Sequence, residues 1–250
     1  MSDNAQPNTV RRATVEVVTH CWNYSRLLTY QLSGFVRHAP ERHDLVVSVY
    51  HNPDDAATCR VIEYVQSVNH SSHVKIVPAP LVRRKLFRRA IGRNLACKAT
   101  RADVVILTDC DYVYRAGAID DIAAAMLTAP GPVLGYVHHH RASLTHEDGD
   151  AEIAACLTPS LIDVDETRYG ESRLRTAIGG SQIVTGEWAR AHGYLPDSKR
   201  WQREADTWQR TFEDKVFRRA SGLELLPIDC PSVYRIRHSQ RGRFDVGVKL

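Results

Sequence analysis

Three short β-branched runs constrain this chain more than any other feature: residues 14–19 (TVEVVT), 45–50 (LVVSVY) and 104–108 (VVILT). Near-continuous apolar runs of this length suit strands buried on both faces, and a parallel sheet covers both its faces with helices. The segment 25–37 carries Leu27, Leu28, Leu32, Phe35 and Val36 at helical spacing, and 56–68 follows the second run with a similar pattern. Strand, helix, strand, helix in that order predicts a doubly wound α/β sheet. Ligands of such sheets bind beyond the carboxyl ends of the strands. The residues leaving each run therefore matter most: 20–24 (HCWNY), 51–55 (HNPDD) and 109–111 (DCD).

The remainder is less regular. Residues 138–172 are rich in His, Asp, Glu, Thr and Gly and read as a long surface excursion. Order returns at 178–184, at a helix-like 187–192 and at 212–220. With 250 residues the expectation is one domain: a flexible 1–12, then 13–250, divided into a nucleotide-binding half (13–115) and an acceptor-binding half (116–250). A formal net charge of +4, with 25% charged residues, gives no single-sign field of the kind that binds nucleic acid, so no such partner is expected. The polar start (MSDNAQPNTVRR) lacks the apolar core of a secretory signal and no stretch reaches membrane-spanning length, which gives a cytoplasmic expectation with no integral membrane segment. Six cysteines without a CxxC pair read as buried thiols rather than a zinc or redox motif.

Asp109 and Asp111 leave the third run one residue apart, and in extended backbone they would share one side. Hard carboxylate oxygens suit Mg²⁺ or Mn²⁺, ions that keep open positions for substrate phosphates. An Asp turn capping a helix is the ordinary alternative. A second DxD, Asp163 and Asp165, has no buried run before it and is set aside. Arg89 offers a fork matched to phosphate and Phe87 an aromatic face for a base, while Arg83, Arg84, Lys85 and Arg88 equally fit a solvated helix face. Glu213 and Asp214 open a segment with Phe212, Val216, Phe217 and Ala220 at helical spacing, where acids also suit the positive end of a helix dipole. Trp201 and Trp208 fit either a sugar face or a core, and 138–140 (HHH) a strand end. Neither GxGxxG nor GxxxxGK[ST] occurs, which excludes the dinucleotide and P-loop fingerprints.

Taken in order, FRRAIGRN (87–94), DCD (109–111), GGS (179–181), FED (212–214) and RHS (237–239) resemble the GT-A glycosyltransferases. The likeness is to the inverting, metal-dependent branch that includes the animal beta-1,4-galactosyltransferases and many bacterial family 2 enzymes, and it runs in islands from about Val15 to Asp245. It implies a GT-A, Rossmann-like fold: a mixed, mostly parallel central sheet flanked by helices. It implies a nucleotide-sugar donor, most simply a UDP-sugar, a carbohydrate or other hydroxyl-bearing acceptor, and Mn²⁺ or Mg²⁺. Carried over by residue, Asp111 is the direct metal ligand, Asp109 joins it and faces the donor ribose or sugar, and His238, within YRIRHS, completes the metal shell. Thr19, Cys21 and Asn23 hold the base, Phe87, Arg89 and Arg93 the nucleotide, and Cys110 belongs with the donor site. Gly179 and Gly180 let backbone approach a sugar. Asp214 is the base and Glu213 holds an acceptor hydroxyl. The chain departs from the galactosyltransferase branch at Arg235, where that branch carries methionine, and in lacking a glycine-rich tryptophan loop before Glu213. A nucleotidyltransferase would want a glycine-rich basic loop where HCWNYSR stands, and a non-catalytic nucleotide- or carbohydrate-binding module would not need every acidic position.

Overall fold

In a computed structural model, residues 12–208 and 212–239 are described. The three apolar runs form strands β1 (Thr14–Cys21), β2 (Asp44–His51) and β4 (Val104–Thr108), with β3 (Val74–Pro80) at the edge. They pair in parallel in the order β3-β2-β1-β4, Val17 facing Val47 on one side and Ile106 on the other. The sheet continues through β8 (Ser181–Thr185), β6 (Val133–Ser143), β9 (Glu224–Arg235) and β5 (Tyr112–Tyr114), with β7 (Tyr169–Arg173) paired to β6. Strands β5, β7 and β8 run against the other six, so among the described residues this is a mixed, mostly parallel nine-stranded sheet.

The pleat sends alternate side chains to two cores. Val15, Val17, Val104 and Ile106 join Leu28, Leu32, Val61 and Ile119, which come from α1 (Ser25–Arg37), α2 (Ala56–Val68) and α5 (Ala118–Leu127). Val18, Val105 and Leu107 join Phe87, Ala96, Ala189 and Phe217 on the other face. That face is covered by α3 (Arg83–Leu86), α4 (Arg89–Ala99), α7 (Gly186–His192) and α8 (Glu213–Ala220). Each fully buried Val, Leu or Phe contributes about 1.5–3 kcal/mol, so two such layers clamp the sheet and fix the loops at its carboxyl edge. Helix α2 is capped by Asp55, whose carboxylate accepts from the Thr58 amide, but α1 has no side-chain cap and relies on its apolar face.

The excursion expected over 138–172 is more ordered than its composition suggests. Residues 138–143 complete β6, a helix α6 (His146–Ala155) follows with a Thr145/Asp148 capping box, and β7 returns to pair β6. His138 and His139 are part-exposed whereas His140 is fully buried, and burial holds its imidazole down at about 4, so it is neutral near pH 7. A polar run of this kind gives no apolar period, and only pairing on both sides reveals the strand. Strand β9 contains Pro227 and Pro231, which argue against a strand in sequence. Its register with β6 shifts twice near Val137–Arg141, and the ladder is irregular there. The stretch expected to be flexible lies outside the described residues except for Arg12, which pairs with Asp44 at 3.2 Å. No described helix is long and apolar enough to cross a membrane.

Candidate active site

The carboxyl ends of β1 and β4 open onto a cleft lined by His20, Tyr24, Leu27, Arg89, Asp109, Cys110, Asp111, Trp208 and His238. Asp109–Asp111 do not prolong β4. The chain turns there, the Tyr112 amide donating to the Asp109 carbonyl at 3.2 Å, so the shared side expected from extended backbone is reached by a turn instead. Gln31 of α1 fixes this turn: its side-chain amide donates to the carbonyls of Asp109 (2.8 Å) and Tyr112 (3.0 Å). Asn23 shapes the preceding loop with a left-handed φ of 58° and an amide donated to Asp55 at 2.8 Å. Asparagine tolerates that conformation better than most side chains.

One arginine-carboxylate network joins the turn to α8. Arg89 donates to Asp109 at 2.5 Å and to Glu213 at 3.1 Å. Burial disfavours the charge on Arg89, yet Asp109 and Glu213 outweigh it and hold its pKa above the usual arginine value. Arg93, fully buried, reaches Asp109 (3.4 Å), the Gly179 carbonyl (2.5 Å), Gln182 (3.5 Å) and the Tyr194 hydroxyl (3.3 Å). Asp214 accepts from the Gly179 amide at 3.1 Å, and its own carbonyl accepts from Gln182. Thus Arg89, Arg93, Asp109, Gly179, Glu213 and Asp214, far apart in sequence, are brought together. A planar guanidinium with several donors is what such a hub needs.

Gly180 is close-packed for a reason other than ligand access. A Cβ there would sit 2.3 Å from the Tyr112 ring, whereas one on Gly179 would face Arg89 and Asp214 at 3.4 and 3.6 Å. Thr19 and Cys21 are fully buried and engaged internally, Thr19 with Cys110 (3.5 Å) and Cys21 with Thr58 (3.3 Å). Burial also pushes the Cys21 thiol up, keeping it protonated. Phe87 is buried edge-on to Trp22, with Arg83 stacked 5.9 Å from its ring. Trp201 is core, whereas Trp208 lines the cleft. Asp163 and Asp165 are occupied elsewhere: Asp163 by Arg115 and His38, each at 3.1 Å, and Asp165 as the cap of the 3-10 turn Glu166–Arg168.

The segment after β9 carries His238 to the cleft, its ring edge-on to Tyr24 at 5.6 Å. It is docked on the end of β6 and on α6: the Arg237 amide donates to Ser143 (2.8 Å) and the Ser239 amide to Asp150 (3.0 Å). A Cβ on Gly149 would lie 1.6 Å from the Arg237 carbonyl oxygen. Gly149→Ala is therefore expected to push this segment off α6, costing about 1–3 kcal/mol as overpacking does. A lowered melting temperature is the expected result. An unchanged melt would mean the segment shifts freely.

The donor types present suit a hard divalent cation. Two carboxylates and an imidazole line one cleft, and the buried Nδ1 of His238 has no hydrogen-bond partner among the described residues. They are not preassembled, since no group of three or more His, Cys, Asp or Glu among the described residues is arranged to hold a metal. Arginines stand on both carboxylates instead: Arg89 and Arg93 on Asp109, and Arg235 on Asp111 at 3.3 Å.

Several participants escape sequence reading. Gln182, Tyr194 and Tyr112 give no motif, because a buried tyrosine or glutamine looks like core. Gln31 did leave a trace, standing in the apolar stripe between Leu28 and Leu32. Arg235 was visible only as a departure from a pattern.

No protein-family model and no curated protein sequence matches the chain. Solved structures do. They include residues 1–349 of TarS from S. aureus (TM-score 0.58, 13% identity, 89% of this chain and 60% of that one). They also include the mannosyltransferase PcManGT from Pyrobaculum calidifontis in complex with GDP-Man and Mn²⁺ (0.55, 17%, 96% and 61%). TarS 1–349 in complex with UDP-GlcNAc is a third (0.53, 12%, 94% and 62%). The chain thus spans 60% to 62% of these structures. At such identities the likeness is one of architecture: the chain has the GT-A fold, a mixed, mostly parallel sheet flanked by helices with its cleft at the carboxyl ends of β1 and β4.

Proposed function

We propose that this protein is a glycosyltransferase that moves a sugar from a nucleoside diphosphate sugar, a UDP-sugar in the first instance, to an acceptor hydroxyl with inversion. The observation that carries this reading is the Asp109–Arg89–Glu213 relay, which ties the acidic turn at the end of β4 to the first turn of α8, where Asp214 stands. Two neighbours in fold were solved with nucleotide sugars, GDP-Man with Mn²⁺ and UDP-GlcNAc, which supports the class of donor.

In the proposed reaction the acceptor oxygen bonds to the anomeric carbon as the bond from that carbon to the diphosphate oxygen breaks, and the acceptor proton passes to Asp214. An alcohol is too weak an acid to ionise first, so an ionised carboxylate within hydrogen-bond reach suffices. The Gly179 amide orients that carboxylate through one oxygen and leaves the other for the acceptor. Arg89 places a fixed positive charge beside the departing diphosphate at no reorganisation cost. Asp111 and His238, with Asp109, would hold Mn²⁺ or Mg²⁺, which when bound neutralises the leaving diphosphate. Chemistry of this type is mainly positioning and electrostatics.

Calorimetry of UDP with and without Mn²⁺ tests the reading. Tight binding is expected only with the metal, because phosphates otherwise face Asp109 and Asp111. Asp111→Ala should abolish the metal-dependent part, whereas Asp163→Ala should leave it intact, since Asp163 serves Arg115 and His38. Equal UDP affinity in the presence and absence of Mn²⁺ would remove the metal from the scheme.

A further inference from the structure

The two carboxylates of the acidic turn are held very differently. Asp109 is gripped by Arg89 and Arg93, both largely or wholly buried and each with further partners. Asp111 is engaged by a single side chain among the described residues, Arg235, whose Nε stands 3.3 Å from Oδ2 and whose side chain is 35% exposed. The position of Arg235 is fixed by backbone pairing. Arg235 lies opposite Tyr112 in the β5–β9 ladder, and the next amide, Ile236, donates to the Asp111 carbonyl at 2.8 Å. Its guanidinium also lies over the Tyr112 ring, 5.6 Å from the centroid. The ring presents its aromatic face to the cation. Tyr112 is in turn wedged against Gly180, where no side chain larger than hydrogen fits. The register, the ring and the glycine together aim one exchangeable cation at the carboxylate of Asp111.

We propose that Arg235 is a built-in counter-cation that competes with the divalent metal for Asp111 and is released to the donor diphosphate when the metal arrives. This deepens the nucleotide-sugar reading and rests on it for the second half of the exchange. A guanidinium and a divalent cation cannot both sit on the same carboxylate oxygen, and their like charges repel at this range. A diphosphate offers the displaced fork a bidentate partner. Metal and nucleotide therefore help each other bind beyond any direct ligation, and by linkage the help is equal in both directions.

The first half needs no nucleotide to test. Mn²⁺ binding to the full, nucleotide-free chain is followed by the electron paramagnetic resonance signal of free Mn²⁺, for wild type, Arg235→Gln, Arg235→Lys and the double variant Asp111→Asn/Arg235→Gln, each checked for a cooperative melt. Arg235→Gln is expected to bind Mn²⁺ roughly tenfold tighter, about 1.4 kcal/mol. Arg235→Lys, which keeps the charge, should stay near wild type, and the double variant should lose the gain. With saturating UDP the advantage of Arg235→Gln should shrink to about twofold or less, because wild-type Arg235 has then left Asp111. Equal or weaker Mn²⁺ binding by folded Arg235→Gln, or a Lys variant that behaves like Gln, overturns the proposal. Failure of the nucleotide-sugar reading looks different: no variant binds UDP or GDP, while the Mn²⁺ ranking of the nucleotide-free proteins stands.

Discussion

Asp214→Asn is expected to keep donor binding and to lose sugar transfer by roughly 10²-fold or more. Asparagine keeps the shape of the side chain, and its carbonyl oxygen can still accept from the Gly179 amide, as the Asp214 carboxylate does at 3.1 Å. It cannot take up a proton. The hydrogen bond from Gln182 goes to the backbone carbonyl of Asp214, so the start of α8 keeps that anchor in the variant. Turnover and UDP affinity measured side by side decide the matter: intact affinity with lost turnover identifies a base. Near-wild-type turnover would move proton acceptance to Glu213 or Asp206. Geometry weighs against both, since Glu213 is buried against Arg89 and Asp206 is bound at 2.8 Å to Arg84 on the open surface.

The parallel half of the fold was legible because burial on both faces writes itself into sequence as unbroken apolar runs, and β1, β2 and β4 begin and end close to where those runs do. The second half of the sheet was not. Strand β6 has a short apolar start and then carries three histidines, and β9 contains two prolines, so each is held as a strand by its neighbours rather than by its own period. The site divides in the same way. Asp109, Asp111 and Asp214 could be picked out because motifs place acids at element ends, where carboxylates are both structurally cheap and chemically useful. The links between them depend on contacts such as Arg89 to Glu213, across 124 positions, and Arg93 to Gly179, across 86, which no local pattern encodes. Thr19 and Cys21 stand at the end of the right strand, yet their side chains face inward, where alternation turns them toward Cys110 and Thr58.

Arg93→Met is expected to cost about 3–5 kcal/mol of folding stability, because it strips a fully buried cation from the part-exposed carboxylate of Asp109 and leaves buried polar groups unpaired at about 1–3 kcal/mol each. Replacing both members of such a pair by apolar groups is often neutral, but this change removes only the cation. It leaves the Gly179 carbonyl, Gln182 and the Tyr194 hydroxyl short of a donor and takes one arginine from Asp109. Methionine fills most of the volume, so the loss reports on those polar partners rather than on a cavity. Arg93→Lys should rescue only part of it, because one ammonium cannot meet four acceptors spread around a planar fork. Urea unfolding of the three proteins gives the comparison directly. The same substitution at Arg89, which is partly exposed and among the described residues engages Asp109 and Glu213, should cost less stability and more nucleotide affinity. Arg93→Met within about 1 kcal/mol of wild type would show that the buried guanidinium is not what joins α4, the glycine pair and the acidic turn.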